Sequence, residues 1–332
     1  MRFQPTDEQS DFARTLRSLL GAAAVPATVR AWADGDHGPG RALWSRLADT
    51  GLFALAVPEA YEEIGGLGPL PVELTLGFVE LGRAGVAGPV VESAAASVLL
   101  ARLGDDAQAK RFLPGLVSGG ALATLTLPGC SPYALDADAA AYRFTVSAAG
   151  ELRLADVPGV RLASLDPARR LSAPAGGELL AAGPAVTAAA EEALRWARLL
   201  TAAQCLGLGE TLLADTVEYA KRRSQFGMPI GGFQAVKHRL ADTLLALEFA
   251  RPLVRAAALS LDPGEVAAAK LTAGEAAYGA ALTALQVHGA IGYTQELDLS
   301  LWLRKARPLR DAWGTPAACR AEVLRGYTAR GR

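Results

Sequence analysis

The sequence predicts a mainly α-helical protein with a small β-rich segment in its middle, and three observations lead there. Apolar residues recur at helical spacing over residues 1–118 and again over residues 186–332. Between them, residues 119–185 carry short alternating runs bounded by proline and glycine. Hydrophobic residues make up 51% and charged residues 20%, a composition that buries a large core and argues against disorder. We therefore expect a helical N-terminal domain (1–118), a shortened β-domain (119–185) and a C-terminal helical bundle (186–332).

In order, Thr6 followed by Glu8 and Gln9 and an apolar series through Phe12, Leu16 and Leu20 predicts a capped amphipathic helix. Arg41 to Asp49 makes another, closed by Thr50-Gly51, and the helical pattern continues through Leu74 to Arg83 and the alanine-rich run after Val90. Texture changes near Ala121: Ala121–Leu127, Tyr142–Val146, Glu151–Leu154 and Val160–Leu165 read as strands. Pro174, Gly176-Gly177 and Gly183-Pro184 read as a linker. A long helix from Ala188 to Arg223, interrupted at Gly207 and Gly209, leads to a turn at Gly227–Gly232. Helices from Phe233 to about Leu261 and from Gly264 to about His288 follow.

The charge balance, Lys+Arg 33 against Asp+Glu 34, gives no electrostatic case for nucleic acid or an anionic membrane. The start, Met1-Arg2-Phe3-Gln4-Pro5, lacks the apolar core of a secretion signal, and Glu92 to Leu103 is interrupted before bilayer-spanning length. Cys130, Cys205 and Cys319 share no metal-ligand spacing, and His37, His238 and His288 lie far apart, so no metal is expected and a reducing cytoplasm is the natural setting.

Two segments carry a resemblance. Arg223-Ser224-Gln225-Phe226-Gly227 opens the first, which runs on to Gln234, and Gln286-Val287-His288-Gly289-Ala290-Ile291-Gly292-Tyr293 forms the second. Together they resemble the acyl-CoA dehydrogenase signatures, an Arg-x-Gln-Phe-Gly turn and a Gln-x-His-Gly-Gly-x-Gly-Tyr loop. Leu43-Trp44 through Val57-Pro58-Glu59-Ala60-Tyr61 resembles that family's N-terminal helical motif, so the likeness spans nearly the whole chain in order. It implies the family's fold, with a barrel-like middle domain and a C-terminal four-helix bundle. It also implies the family's reaction, in which a glutamate takes the α-proton of an acyl-CoA while hydride passes from the β-carbon to FAD.

In that family the two segments reach across a subunit interface to a neighbour's FAD. Carried over residue by residue, this makes Arg223, Gln225, Phe226, Gln234, Gln286, Val287, His288, Gly289 and Ala290 cofactor-binding candidates. The residue types suit a dinucleotide, with a forked guanidinium for pyrophosphate, an amide side chain, an aromatic face, and a glycine that lets the backbone approach a phosphate. Read without the resemblance, Arg223 is an exposed arginine at a helix end and Gly289 a loop glycine.

The sequence departs from the family where the glutamate should be. The family's Tyr-Glu-Gly-Thr motif falls on Ala312-Trp313-Gly314-Thr315, and its alternative position, before an arginine on the long helix, falls on Ala197-Arg198. Tryptophan and alanine stand at the two expected base positions, so no catalytic residue is assigned. Asp311 reads as part of a charge cluster with Arg307 and Arg310, and Glu191 and Glu192 as acids at a helix start. The family's Thr-Glu-Pro-x-Ala-Gly-Ser-Asp segment is replaced by Thr126-Leu127-Pro128-Gly129-Cys130-Ser131-Pro132.

Arg198 matches the family's arginine near the bound acyl-CoA and is a substrate-binding candidate; a structural ion pair is the competing reading. A continuous helix would set it about 37 Å from Arg223 at roughly 1.5 Å per residue. The pattern resembles the shorter subunit of α2β2 acyl-CoA dehydrogenases of steroid side-chain degradation. That implies a longer homologous partner, FAD shared at the interface, an acyl-CoA substrate and an electron-transfer flavoprotein as acceptor. A self-sufficient dehydrogenase with a non-standard base and a flavin-free structural or regulatory homologue are the alternatives.

Overall fold

The structure is a computed structural model that describes residues 4–130 and 132–330. Met1–Phe3, part of the N-terminal segment read for a secretion signal, and Ser131 of the middle-domain segment lie outside the described residues.

Helix α1 (Asp7–Gly21) opens with the expected cap. The Thr6 hydroxyl accepts from the Gln9 amide at 3.2 Å while the Gln9 side chain accepts from the Thr6 amide at 2.9 Å. Its buried stripe, Leu16 and Leu20, faces the core formed with α2 (Val25–Asp34), α3 (Gly38–Ala48) and α4 (Pro71–Ala84). Leu52–Ala56, a buried 3₁₀ turn, lies against α3, α4 and α5. Helix α5 (Val90–Leu103) is buried on nearly every side, and α6 (Asp106–Val117), capped by Asp105, packs on it.

The middle segment forms two ladders. A four-stranded sheet runs in the order β1 (Ala123–Thr126), β3 (Tyr142–Val146), β4 (Glu151–Leu154), β6 (Glu178–Ala182), with β1 parallel to β3 and the other pairs antiparallel. Apart from it, β2 (Ala134–Leu135) pairs with β5 (Leu171–Ser172). The sheet is joined to α5 through Ser93, whose hydroxyl donates to the Ala123 carbonyl at 3.0 Å and accepts from its amide at 2.9 Å.

Two expectations here are corrected. Val160–Leu165 is not a strand: among the described residues it makes only the isolated bridge of Leu162 to Leu171, and Val160 and Leu165 are exposed. The strand beside it, β5, is two residues long and gives it that bridge but no ladder to extend. The stretch read as linker instead contains β6, because the segment after Gly177 finds β4 as a partner and pairs with it through a bulge at Leu152/Arg153.

The C-terminal part is a bundle centred on α9 (Pro263–His288), against which α7 (Pro184–Arg222), α8 (Gln234–Ser260), α10 (Leu299–Asp311) and α11 (Pro316–Arg330) pack. Helix α7 is continuous through Gly207 and Gly209, against the interruption expected from sequence. The reason is a close crossing with α4. A Cβ on Gly207 would sit 1.9 Å from the Val79 carbonyl oxygen, and one on Gly82 would sit 2.1 Å from that of Gln204. Only glycine lets the two backbones meet there. Among the described residues no helix is long and apolar enough to cross a membrane.

Candidate functional site

The two motif segments meet at one end of the bundle. Helix α7 ends at Arg222; Arg223 is extended and caps it, and a hairpin of β7 (Ser224–Gln225) and β8 (Met228–Pro229) follows. Its two turn residues, Phe226 and Gly227, have φ of 54° and 80°, the combination of a tight type I′ turn. Glycine takes that conformation freely; phenylalanine does so at a cost of roughly 1–2 kcal/mol. Phe226 is nonetheless held there with 91% of its surface exposed, its ring edge-on to Phe233 at 6.2 Å. The Ile230 amide donates to the Arg223 carbonyl at 2.8 Å and returns the chain to α8, which starts at the exposed Gln234.

The second segment ends α9. His288 is buried, its Nδ1 lies 2.8 Å from the Ala284 carbonyl, and its ring stacks on Tyr219 of α7 with centroids 4.1 Å apart. Gly289 then takes φ 63°, and a Cβ there would have no atom within 4 Å. Arg223, Gln225, Gln234, Gln286, Gly289 and Ala290 are all exposed or partly exposed, as is Val287. Among the described residues the four polar side chains of this set have no hydrogen-bond or ion-pair partner. Asp215, a turn before Tyr219 on α7, has its carboxyl pushed up by burial, with the nearby His288 pulling it down. Further along α8, Leu245 and Phe249 are exposed one turn apart, and the 3₁₀ turn after α9 exposes Ile291 and Tyr293.

The expected base positions lie elsewhere, near the N-terminal half of α7. Ala197 is wholly buried in the apolar core. Trp313, at φ 57°, follows the end of α10, and its carbonyl accepts from Arg198 Nε at 2.9 Å. The Arg198 guanidinium also faces Glu322 of α11 at 3.7 Å, so it is engaged by the protein, and it does not line the neighbouring cavity. Asp311 lies 4.0 Å from Arg310, which is itself bound to Glu275 at 2.9 Å. Glu192 accepts from Arg195 and from the Trp196 indole; Glu191 is exposed.

Trp313 walls a cavity of about 270 Å³ between α5, the β-segment and α10. Two charged residues not singled out from sequence, Glu92 and Arg169, line it. Burial pushes the Glu92 carboxyl above its ordinary range, against the pull of Arg169 and of the Trp313 indole that leans toward it. A signal was present: Glu92 is a lone acid at the head of an apolar helix, and acids are seldom fully buried without a partner.

Residues 6–120 match the acyl-CoA dehydrogenase N-terminal domain and residues 187–328 the acyl-CoA dehydrogenase C-terminal domain. The chain is 36% identical to acyl-CoA dehydrogenase IpdE2 of Mycobacterium tuberculosis, over 97% of its own length and 96% of that protein. Its fold is similar to the ChsE4-ChsE5 complex from Mycobacterium tuberculosis (TM-score 0.83, 26% identity, 99% of each chain). It is likewise similar to the Tcur3481-Tcur3483 steroid acyl-CoA dehydrogenase (TM-score 0.81, 25% identity, 98% of each chain). The chain belongs to the acyl-CoA dehydrogenase family, a family of FAD-dependent oxidoreductases.

Proposed function

We propose that this chain is the shorter, cytoplasmic subunit of an α2β2 acyl-CoA dehydrogenase, holding half of its partner's FAD site and carrying no catalytic glutamate of its own. The observation that carries the reading is the contrast between the two regions. Among the described residues the side chains of Arg223, Gln225, Gln234 and Gln286 stand unpaired around a strained hairpin tip and an open glycine, while Trp313 and Ala197 occupy the base positions. Domain boundaries near residues 118 and 186 belong to the same reading.

The residues present fit a dinucleotide. The Arg223 fork suits a pyrophosphate, and the φ of Gly289 with free space beside it suits close approach of a phosphate to the loop backbone at His288, Gly289 and Ala290. Gln225, Gln234 and Gln286 add amide groups, and Phe226 and Val287 offer apolar surface to the nucleotide. Bound FAD supplies the acceptor for the hydride leaving the acyl β-carbon. This chain's residues bind and orient the cofactor and exclude water; the α-proton goes to a carboxylate of the partner. Exposed Leu245, Phe249, Ile291 and Tyr293 supply apolar surface for that subunit. A steroid side-chain CoA thioester as substrate is supported by the likeness to a steroid acyl-CoA dehydrogenase, and an electron-transfer flavoprotein as acceptor by the family alone. In this arrangement Arg198 holds the Trp313 loop, with acyl-CoA binding as its alternative role.

Co-expression with a longer homologous chain tests the proposal. The expected product is a yellow complex with one flavin per pair of chains and acyl-CoA-dependent dye reduction. The second reading, a self-sufficient enzyme with a non-standard base, has Glu92 in its favour, since that acid lies in the cavity beside Trp313. Turnover by the purified single chain would select it.

A further inference from the structure

Five arginines line one cavity far from the motif segments in sequence. Helices α1, α4 and α8 border about 300 Å³, with Arg14 and Arg17, then Arg83, then Arg251 and Arg255 in its wall; among the described residues Glu80 is the one acid there. Arg17 forks Glu80 at 2.7 and 2.9 Å, and Arg83 meets the same carboxylate at 3.1 Å. Glu210 takes Arg83 on one oxygen and Arg251 on the other, the latter at 2.8 Å. Both buried carboxylates are therefore fully engaged. Asp11 pairs with Arg14 at 2.5 Å and Glu248 with Arg251 at 2.8 Å, both acids more than half exposed, while Glu73 accepts from the Gln9 amide group at 2.8 Å. Exposed pairs of that kind open readily. In number these acids match the arginines; in the cavity wall itself the ratio is five to one. Arg255 feels the crowding: burial lowers its pKa below an arginine's ordinary value, Arg251 lowers it further, and Glu248 and Glu210 offset the two only in part.

A second, independent feature is an unused donor. Thr201, Thr216 and Thr243, buried on helices, each donate to the carbonyl four residues back. Thr75 of α4 lines the cavity at 4% exposure, and its hydroxyl has no hydrogen-bond partner among the described residues. A buried hydroxyl left unmade is costly. The frame around it is fixed: the Arg83 carbonyl accepts from the Thr211 hydroxyl at 2.8 Å and from the Trp302 indole at 2.9 Å, and α4 is seated on α7 at the Gly82 and Gly207 crossing. Leu76, Val79, Leu206 and Val254 give the cavity an apolar side.

We propose that this cavity binds a phosphate dianion carried on a small apolar body, a phosphate monoester, with arginines of α1, α4 and α8 and the Thr75 hydroxyl as donors to its oxygens. The anion follows from the guanidinium-rich wall, since arginine offers several N–H groups and accepts none. A tetrahedral anion, rather than a planar carboxylate, follows from donors on three separate helices, which approach from different sides. The apolar body follows from the four aliphatic residues and from the volume, at the lower end of the roughly 300–1,000 Å³ of small-molecule pockets. The site is independent of the flavin-binding reading: it shares no lining residue with the Arg223 hairpin, the Gly289 loop or the cavity walled by Trp313.

The test is equilibrium dialysis on the full-length chain at pH 8 with phenyl phosphate (a dianion), phenyl sulfate (a monoanion of similar shape) and inorganic phosphate. Phenyl phosphate is expected to bind saturably and at least about tenfold tighter than either of the others, and its binding should weaken as pH falls through about 6, where a phosphate monoester takes up its second proton. Arg255→Gln and Arg14→Gln leave the Glu80 and Glu210 pairs in place, and each should weaken binding by about tenfold or more. Thr75→Val should weaken it by about three- to tenfold while melting no lower than the parent, because it removes a hydroxyl without a partner. If one variant fails to fold, the other two carry the test. Phenyl sulfate binding as tightly as phenyl phosphate, inorganic phosphate doing so, or ester binding that survives the arginine substitutions would each overturn the proposal. No saturable binding would do the same, leaving the arginines as an ion-pair network between helices.

Discussion

Tyr219 lies against His288 with ring centroids 4.1 Å apart and planes 25° from parallel, and its hydroxyl reaches the His288 carbonyl at 3.5 Å. One residue belongs to the last turns of α7 and the other to the last turn of α9, so this contact sets the Arg223 hairpin beside the Gly289 loop. Two segments far apart in sequence are presented on one face because an aromatic pair locks the helix ends that carry them.

Arg223→Ala is expected to weaken flavin retention in the co-expressed complex by about 10- to 150-fold. A hydrogen bond to a charged group contributes roughly 1.5–3 kcal/mol. Flavin absorbance after extensive dialysis measures it, and unchanged content would count against the trans half-site. Gln286→Ala should act in the same direction but more weakly, as a neutral donor is lost.

Phe226→Gly separates binding from folding. The φ of 54° is natural to glycine, and the ring is almost fully exposed in the isolated chain, so the melting temperature should hold or rise slightly. Flavin retention in the complex should fall. A clear loss of thermal stability in the single chain would mean that the ring serves the fold.

Gly207→Ala should destabilise the chain by about 3 kcal/mol or more, because the added Cβ would lie 1.9 Å from the Val79 carbonyl oxygen and both partners are backbone. Urea unfolding measures it. A change below about 0.5 kcal/mol, the range of ordinary surface substitutions, would show that α4 and α7 can part there without cost.

Asp136 gives a pH signature. It is fully buried, one carboxylate oxygen has no partner, and burial pushes its pKa up to about 7, with the Arg170 amide and guanidinium pulling the other way. The folded state therefore binds a proton between about pH 4 and pH 7 that the unfolded chain has already released. This group's contribution is present at acid pH and is lost as pH rises through that window, by on the order of 2–4 kcal/mol. Denaturation at pH 5 and pH 7.5 should show the drop, and Asp136→Asn should flatten it. An unchanged pH slope in the variant would assign the effect to another group.

Trp313→Glu should not create a second active site in the complex. A base acts only on a proton within hydrogen-bonding reach and with the hydride acceptor opposite it, so geometry comes before acidity. Flavin content should stay at one per pair of chains, with turnover no higher than the parent. A doubling of both would mean that this chain seats a flavin of its own.

Local rules make much of the architecture legible. Tyr142–Val146 and Glu151–Leu154 are strands to the residue as the sequence predicts, because alternation and bounding turns are properties of the segments themselves. The Thr6 cap, the long helices and the two motif segments are likewise visible, since each rests on residues a few positions apart. Only the tertiary structure decides the rest. Glu178–Ala182 is a strand because β4 is beside it along its length, and Val160–Leu165 is not one because the two-residue β5 gives it a single bridge. Gly207 reads as a break until α4 is seen crossing it. Glu92 and Arg169 come from segments separated by most of the β-region, and their lining one cavity depends on how α5, the β-region and α10 are arranged around it. Periodicity records which face of a segment is apolar; partners distant in the chain are fixed by packing, and packing is not visible in any single stretch of this sequence.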